Sequence, residues 1–188
     1  LDVLKQKYSD SRTQVFTVEV QEIQGNSIVL KGEVLEDKQL AKLKEEINSQ
    51  FPNSSLIRDA VIVLGKEKKE YAWVATNLTS LHREPDWLAE MLSQLLYGTR
   101  LEILKRDDKW GFVRQDDGYL GWAYLPYLSL IEPVNATHLV KKPFAKLFAE
   151  QNKKSPINTR LYCGTSVTVK KIENGWALIE SNGDHLPS

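Results

Sequence analysis

The spacing of apolar and polar positions changes character along the chain and divides it into regions. In "QVFTVEVQ" at 14–21, Phe16, Val18 and Val20 alternate with Thr17 and Glu19, the period-two signature of a half-buried strand. "SIVLKGEVL" at 27–35 repeats the pattern through Ile28, Leu30 and Val34, and Gln24-Gly25-Asn26 reads as the hairpin turn between them. At 37–50 the period lengthens: Leu40, Leu43 and Ile47 stand three and four apart among Lys and Glu. This predicts an amphipathic helix with Asp37 as N-cap and Phe51-Pro52-Asn53 as its stop. "LIRDAVIVL" at 56–64 is a further strand. The predicted order is ββαβ, a small α+β domain over 1–66.

From about residue 70 the pattern becomes one of short strands and frequent turns. It also repeats. "LLYGTRLEILKRDDKWGFVRQDDGYLGW" at 95–122 aligns without a gap on "LYCGTSVTVKKIENGWALIESNGDHLPS" at 161–188. Gly98 meets Gly164, Thr99 meets Thr165, Lys105 meets Lys171 and Trp110 meets Trp176, a constant offset of 66. A period this long suits two tandem domains rather than solenoid units. Leu101 and Ile103, and Val167 and Val169, alternate as half-buried strands, with polar turns at "RDDKW", "IENGW", "DDGY" and "SNGD". The reading is two small all-β barrels, at 70–131 and 133–188, with "GKEKKE" at 65–70 and "IEPVNA" at 131–136 as separators. "DWLAEMLSQLL" at 86–96 resists it, because Leu88, Met91, Leu92, Leu95 and Leu96 fall at helical spacing. The barrel context requires an extended strand over its second half, and that is the expectation. The second copy ends at Ser188, where the first continues "AYLPYL", so its barrel is expected to lack a closing strand and the chain to be a fragment.

Composition narrows the function classes. The 188 residues hold 25 Lys plus Arg and 25 Asp plus Glu. A neutral chain has no cationic surplus for counterion release, which argues against nucleic acid as the main partner. With 41% hydrophobic and 27% charged residues the chain is expected to fold. No apolar run approaches the ~20 residues of a membrane helix. Cys163 has no second cysteine to pair with. The start, Leu-Asp-Val, is expected to be that of a processed or cloned chain, which leaves export open.

The loop Leu81-His82-Arg83-Glu84-Pro85, the strand Gln94-Leu95-Leu96-Tyr97-Gly98, the turn tryptophan Trp110 and the closing Asp117-Gly118-Tyr119-Leu120-Gly121-Trp122 carry a resemblance. Over about 72–130 the chain resembles the bacterial SH3-like domains that precede NlpC-type cell-wall cysteine peptidases. Ser9-Asp10-Ser11-Arg12 and the ββαβ unit behind it look like the BON-like leader of some members. The resemblance implies an exported protein: periplasmic, lipoprotein-anchored or wall-associated. It implies peptidoglycan stem peptide, or the protein's own catalytic domain, as partner. In some members the first SH3-like domain recognises the free amino end of the peptide. That role carries over to Arg83 and Glu84 on the loop and to Tyr119. The chemistry is sensible, since a carboxylate such as Glu84 pairs with an ammonium and Tyr offers a ring and a hydroxyl.

Candidate chemistry within the chain itself is sparse. A cysteine peptidase needs a thiolate beside a histidine, whereas Cys163 in "RLYCGTSV" reads as a small buried hydrophobe in a strand. His82, His138 and His185 share no ligand spacing with one another or with Cys163, so no metal, cofactor or catalytic site is expected. Trp110 and Trp122 read as packing residues. Trp87, in a polar loop after Pro85-Asp86, reads as a contact residue. The expected function is non-catalytic: targeting and substrate positioning for a cell-wall peptide hydrolase whose peptidase domain lies outside these residues. The competing reading is an interaction scaffold with a protein partner and no wall ligand, since small barrels host many functions.

Overall fold

A computed structural model describes residues 1–24, 27–51, 56–65 and 68–180. The described residues are mostly β-strand, and they form two compact units. One comprises residues 1–69 with 118–120, the other 70–117 with 121–188.

The first unit opens with α1 (Asp2–Lys7), followed by β1 (Glu19–Gln24), β2 (Ser27–Val34), α2 (Asp37–Gln50) and β3 (Leu56–Val63). β2 is central, antiparallel to β1 and parallel to β3. A parallel pair needs a crossover, which α2 supplies. Phe16, Val18, Ile28, Leu30 and Val34 form the core with Leu43 and Ile47 of α2 and Leu4 of α1. Two expectations are corrected here. Val20 is 40% exposed rather than inward-facing, and a register shift between Val20 and Glu22 breaks the alternation of its strand. The helix cap is Glu36, not Asp37: the Glu36 N–H donates to Gln39 Oε1 at 2.9 Å and the Gln39 N–H donates to the Glu36 carbonyl at 3.0 Å. Gln39, fully buried, also donates through Nε2 to Gln14 Oε1 at 3.1 Å. A side chain that closes a helix end and ties it to a neighbouring segment is fixed by partners, and periodicity cannot reveal it. The turns expected at Gly25-Asn26 and Pro52-Asn53 lie outside the described residues, as do the "SNGD" turn and His185.

In the second unit, β4 (Glu70–Val74), β5 (Leu78–His82), β6 (Met91–Leu96), β7 (Arg100–Asp107), β8 (Trp110–Gln115), β9 (Leu120–Tyr124) and β10 (Leu128–Ser129) form one sheet in the order β10-β4-β7-β8-β9-β5-β6. Then come β11 (His138–Leu139), β12 (Phe144–Phe148), β13 (Ile157–Tyr162), β14 (Ser166–Glu173) and β15 (Trp176–Glu180), in two sheets, β11-β14-β15 and β12-β13. The 66-residue offset recurs in the pairing. Leu78 faces Leu96 as Phe144 faces Tyr162, and Asp107 faces Trp110 as Glu173 faces Trp176. The register shift between Ile103 and Lys105 returns between Val169 and Lys171.

The repeated Gly-Thr marks the same turn in both copies. Gly98 (φ 79°) donates to the Val74 carbonyl at 2.8 Å, and Gly164 (φ 92°) to the Val140 carbonyl at 2.9 Å. A left-handed residue at this corner is cheap only for glycine. The hairpin tips repeat as well, at Asp108 (φ 47°) and Asn174 (φ 50°), residue types that tolerate this region.

Residues 91–96 are a strand, not a helix. Their spacing is helical, but pairing along all of β5 outweighs local periodicity. Leu95 is buried on the inner face while Met91 stays 54% exposed. β7 departs from clean alternation, since Leu101, Glu102, Ile103 and Leu104 are all buried.

Candidate functional site

The loop between β5 and β6 is built by its own sequence. Asp86 Oδ1 accepts from the Leu88 N–H at 2.9 Å, the Asp86 carbonyl accepts from the Ala89 N–H at 3.2 Å, and the Arg83 N–H donates to the Glu90 carbonyl at 2.9 Å. Asp is the residue that closes such a turn on its own backbone. The second copy uses Asn152 in the same way: its Oδ1 accepts from the Lys154 N–H at 2.9 Å and its carbonyl from the Ser155 N–H at 3.0 Å.

The loop holds Trp87 out over the end of the sheet. Its ring centroid lies 5.0 Å from that of Trp110, 5.1 Å from Tyr124, 5.5 Å from His82 and 5.9 Å from Tyr127. Tyr127 is carried by the short 3-10 turn Leu125–Tyr127, whose Pro126 presets the backbone. Trp110 and His82 are buried at the base of this five-ring cluster, whereas Trp87 (47%) and Tyr127 (39%) remain open to solvent. Tilted and edge-on rings at these separations are favourable geometry.

His82 is the polar element of the base. Nδ1 lies 3.2 Å from the Ala89 carbonyl, so the Nδ1–H tautomer donates there, and Nε2 has no hydrogen-bond partner among the described residues. In the second copy Phe148 and Trp176 reproduce the His82–Trp110 contact at 5.4 Å, edge-on in both cases. The site in the first copy is thus a polar variation on a repeated apolar contact.

The loop's charged residues divide. Arg83 Nε donates to Glu90 Oε2 at 2.7 Å, with both side chains exposed. Glu84 is exposed on the same loop and has no ion-pair partner among the described residues. Arg83, Glu84 and Trp87 are therefore brought onto one loop. Tyr119 is not: it belongs, with Gly118 and Leu120, to the N-terminal unit, where the Leu120 N–H donates to the Arg12 carbonyl at 2.7 Å. There the Asp10 carboxylate holds the Arg12 guanidinium above its usual pKa, mainly through a side-chain hydrogen bond at 2.9 Å, with a weaker contribution from Tyr119.

Residues 81–124 match the family described as the bacterial dipeptidyl-peptidase SH3 domain. The match spans under a quarter of the chain. It contains the whole loop, four of the five rings and Tyr119. Among solved structures, the chain is similar to an NlpC/P60 family protein from Bacillus cereus ATCC 10987, with 15% identity and a TM-score of 0.42 over 55% of this chain and 48% of that one. It is also similar to NlpC1 and NlpC2 from Trichomonas vaginalis, each with 16% identity over 61% of this chain. Those TM-scores are 0.30 and 0.31, over 44% and 46% of the other chains. The chain spans about half the length of these structures. No curated protein matches it.

Cys163 is not the buried strand residue its context predicts. It is exposed in the turn after β13, its Sγ donating to the Lys141 carbonyl at 3.5 Å. Trp110 is buried as expected, while Trp122 is half-buried, ringed by Phe112 at 5.3 Å and the Lys105 ammonium at 5.6 Å. No group of three or more His, Cys, Asp or Glu able to hold a metal occurs among the described residues, and none of their helices is long and apolar enough to cross a membrane. A cleft of about 170 Å³ lies elsewhere, between Trp73, Glu132, Val134, Ser166 and Glu180. It includes none of Arg83, Glu84, Trp87 and Tyr119. The burial of His82 comes from rings that the linear sequence scatters over residues 82–127.

Proposed function

We propose that this chain is the non-catalytic part of an exported cell-wall peptide hydrolase. On this reading residues 70–131 and 133–188 are SH3-like barrels behind a BON-like leader at 1–66. The first barrel holds the free amino end of a peptidoglycan stem peptide beside an NlpC-type peptidase domain. One observation carries the reading: an unpaired carboxylate, Glu84, stands on the same short loop as Trp87, which opens a five-ring cluster to solvent. A carboxylate beside a ring face suits an ammonium attached to a short apolar group. The match of 81–124 to a dipeptidyl-peptidase SH3 domain supports the same class of partner. Leu88 (94% exposed) and Met91 extend the apolar surface, which suits packing against a catalytic domain.

Titration of the full chain with a stem peptide bearing a free amino end, followed by tryptophan fluorescence, tests this. Glu84→Gln is expected to weaken binding about tenfold, the scale of one lost charge-assisted hydrogen bond. N-acetylated peptide is expected to bind as weakly to wild type as free peptide binds to the variant. Equal binding of free and acetylated peptide would refute the ammonium-recognition reading.

A further inference from the structure

The two copies share pairing geometry but not charge. Residues 70–131 carry six Lys and Arg against nine Asp and Glu, whereas residues 133–180 carry eight against three. Two of the eight are neutralised locally: Lys170 by Glu180 at 2.7 Å and Lys171 by Glu173 at 2.6 Å. Lys141, Lys142, Lys146, Lys153, Lys154 and Arg160 are exposed and have no carboxylate partner among the described residues.

Their arrangement on the β12–β13 hairpin is specific. Lys146 stands directly opposite Arg160, and Phe144 directly opposite Tyr162. Successive residues alternate faces, so these four share one face, while Leu161, buried at 2%, lies on the other. Phe144 is 48% exposed, and the Arg160 guanidinium sits 5.9 Å from its ring. Like charges directly opposite on a strand pair are destabilising. At the corresponding positions of the first copy the pairs are Ser80 with Gln94 and Leu78 with Leu96. The second copy therefore carries an unfavourable cation pair beside an exposed Phe144 and a half-buried Tyr162, where the scaffold works without either.

We propose that this face docks a linear anionic glycan, sugar rings stacking on Phe144 and Tyr162 while carboxylates or phosphates along the polymer meet Lys146 and Arg160. Two adjacent cations with no counterion of their own attract a polyanion. The rings favour a polymer with stacking faces over a sheet of lipid headgroups. Single-stranded nucleic acid uses the same combination of cations and rings, and its binding is therefore one of the outcomes of the test. Only the choice of a glycan over a nucleic acid leans on the wall-associated reading above.

The test uses the full chain and a fluorescent oligogalacturonate of about ten units, with neutral dextran and a single-stranded oligonucleotide of similar length as competitors. The charged glycan is expected to bind with an affinity that falls steeply with salt, and dextran is expected not to compete. Lys146→Glu with Arg160→Glu should lower affinity at least tenfold and reduce the salt slope by roughly two counterions. Phe144→Ala should lower affinity several-fold with the slope unchanged. Glu84→Gln should leave this binding intact, which separates it from stem-peptide recognition. No binding to the glycan, binding indifferent to the double reversal, or tighter binding of the oligonucleotide would each overturn the proposal.

Discussion

Glu102 and Arg114 form the most buried ion pair among the described residues, and their removal makes a quantitative test of how the first copy is held together. They face each other across β7 and β8. Arg114 Nε and one of its terminal nitrogens donate to Glu102 Oε2 at 3.0 and 2.8 Å. The side chains are 8% and 17% exposed. Replacing one partner leaves the other desolvated without its counter-charge, which costs ~3–5 kcal/mol for a fully buried pair. Water still reaches the edge of Arg114, so Glu102→Met is expected to cost about 2 kcal/mol. Arg114→Met, which strands the more buried carboxylate, is expected to cost about 3 kcal/mol. The double variant should lie within ~1 kcal/mol of wild type, because two apolar groups facing across a sheet need no solvation. The second copy already does without the pair, placing Thr168 opposite Glu180. Urea unfolding followed by tryptophan emission reads the effect where it occurs, since four of the five tryptophans lie in the first copy. Single-variant losses that simply add in the double variant, or singles costing under ~0.5 kcal/mol, would refute the reasoning.

Trp87→Ala should reduce stability by about 1–2 kcal/mol, since the ring is half-buried, and abolish the fluorescence response to stem peptide; Trp87→Phe should retain most of the stability while losing the response along with the indole. Gln39→Ala should cost about 1–3 kcal/mol in thermal unfolding of the N-terminal unit, because it removes both the helix-start acceptor and the donor to Gln14. Lys146→Glu alone should raise the melting temperature, turning a like-charge cross-strand pair into an opposite-charge one worth ~0.2–1 kcal/mol. Asp10 is held below its ordinary pKa, chiefly by the Arg12 side-chain hydrogen bond. Its contribution is therefore present above the unfolded-state value and lost as pH falls through the lowered one, and Arg12→Ala should return the Asp10 titration, followed by NMR, to the ordinary range.

What could be read from the sequence alone was whatever is encoded locally or by repetition. The helix over 37–50 follows from Leu40, Leu43 and Ile47, because a helical face is a local period. The duplication is visible because the same turns need the same residue types, Gly98 and Gly164 at one corner and Asp108 and Asn174 at the hairpin tip. The extended state of 91–96 is not encoded in its own helical spacing but in its pairing along β5. The aromatic cluster was decided by tertiary structure: His82, Trp87, Trp110, Tyr124 and Tyr127 meet because two hairpin ends, the last residue of β9 and a 3-10 turn come to the same place, and no period relates them. Burial of Gln39, exposure of Cys163 and the opposition of Lys146 to Arg160 have the same origin. A sequence states which face of its own element a residue occupies. The register and packing of other elements determine what that face meets.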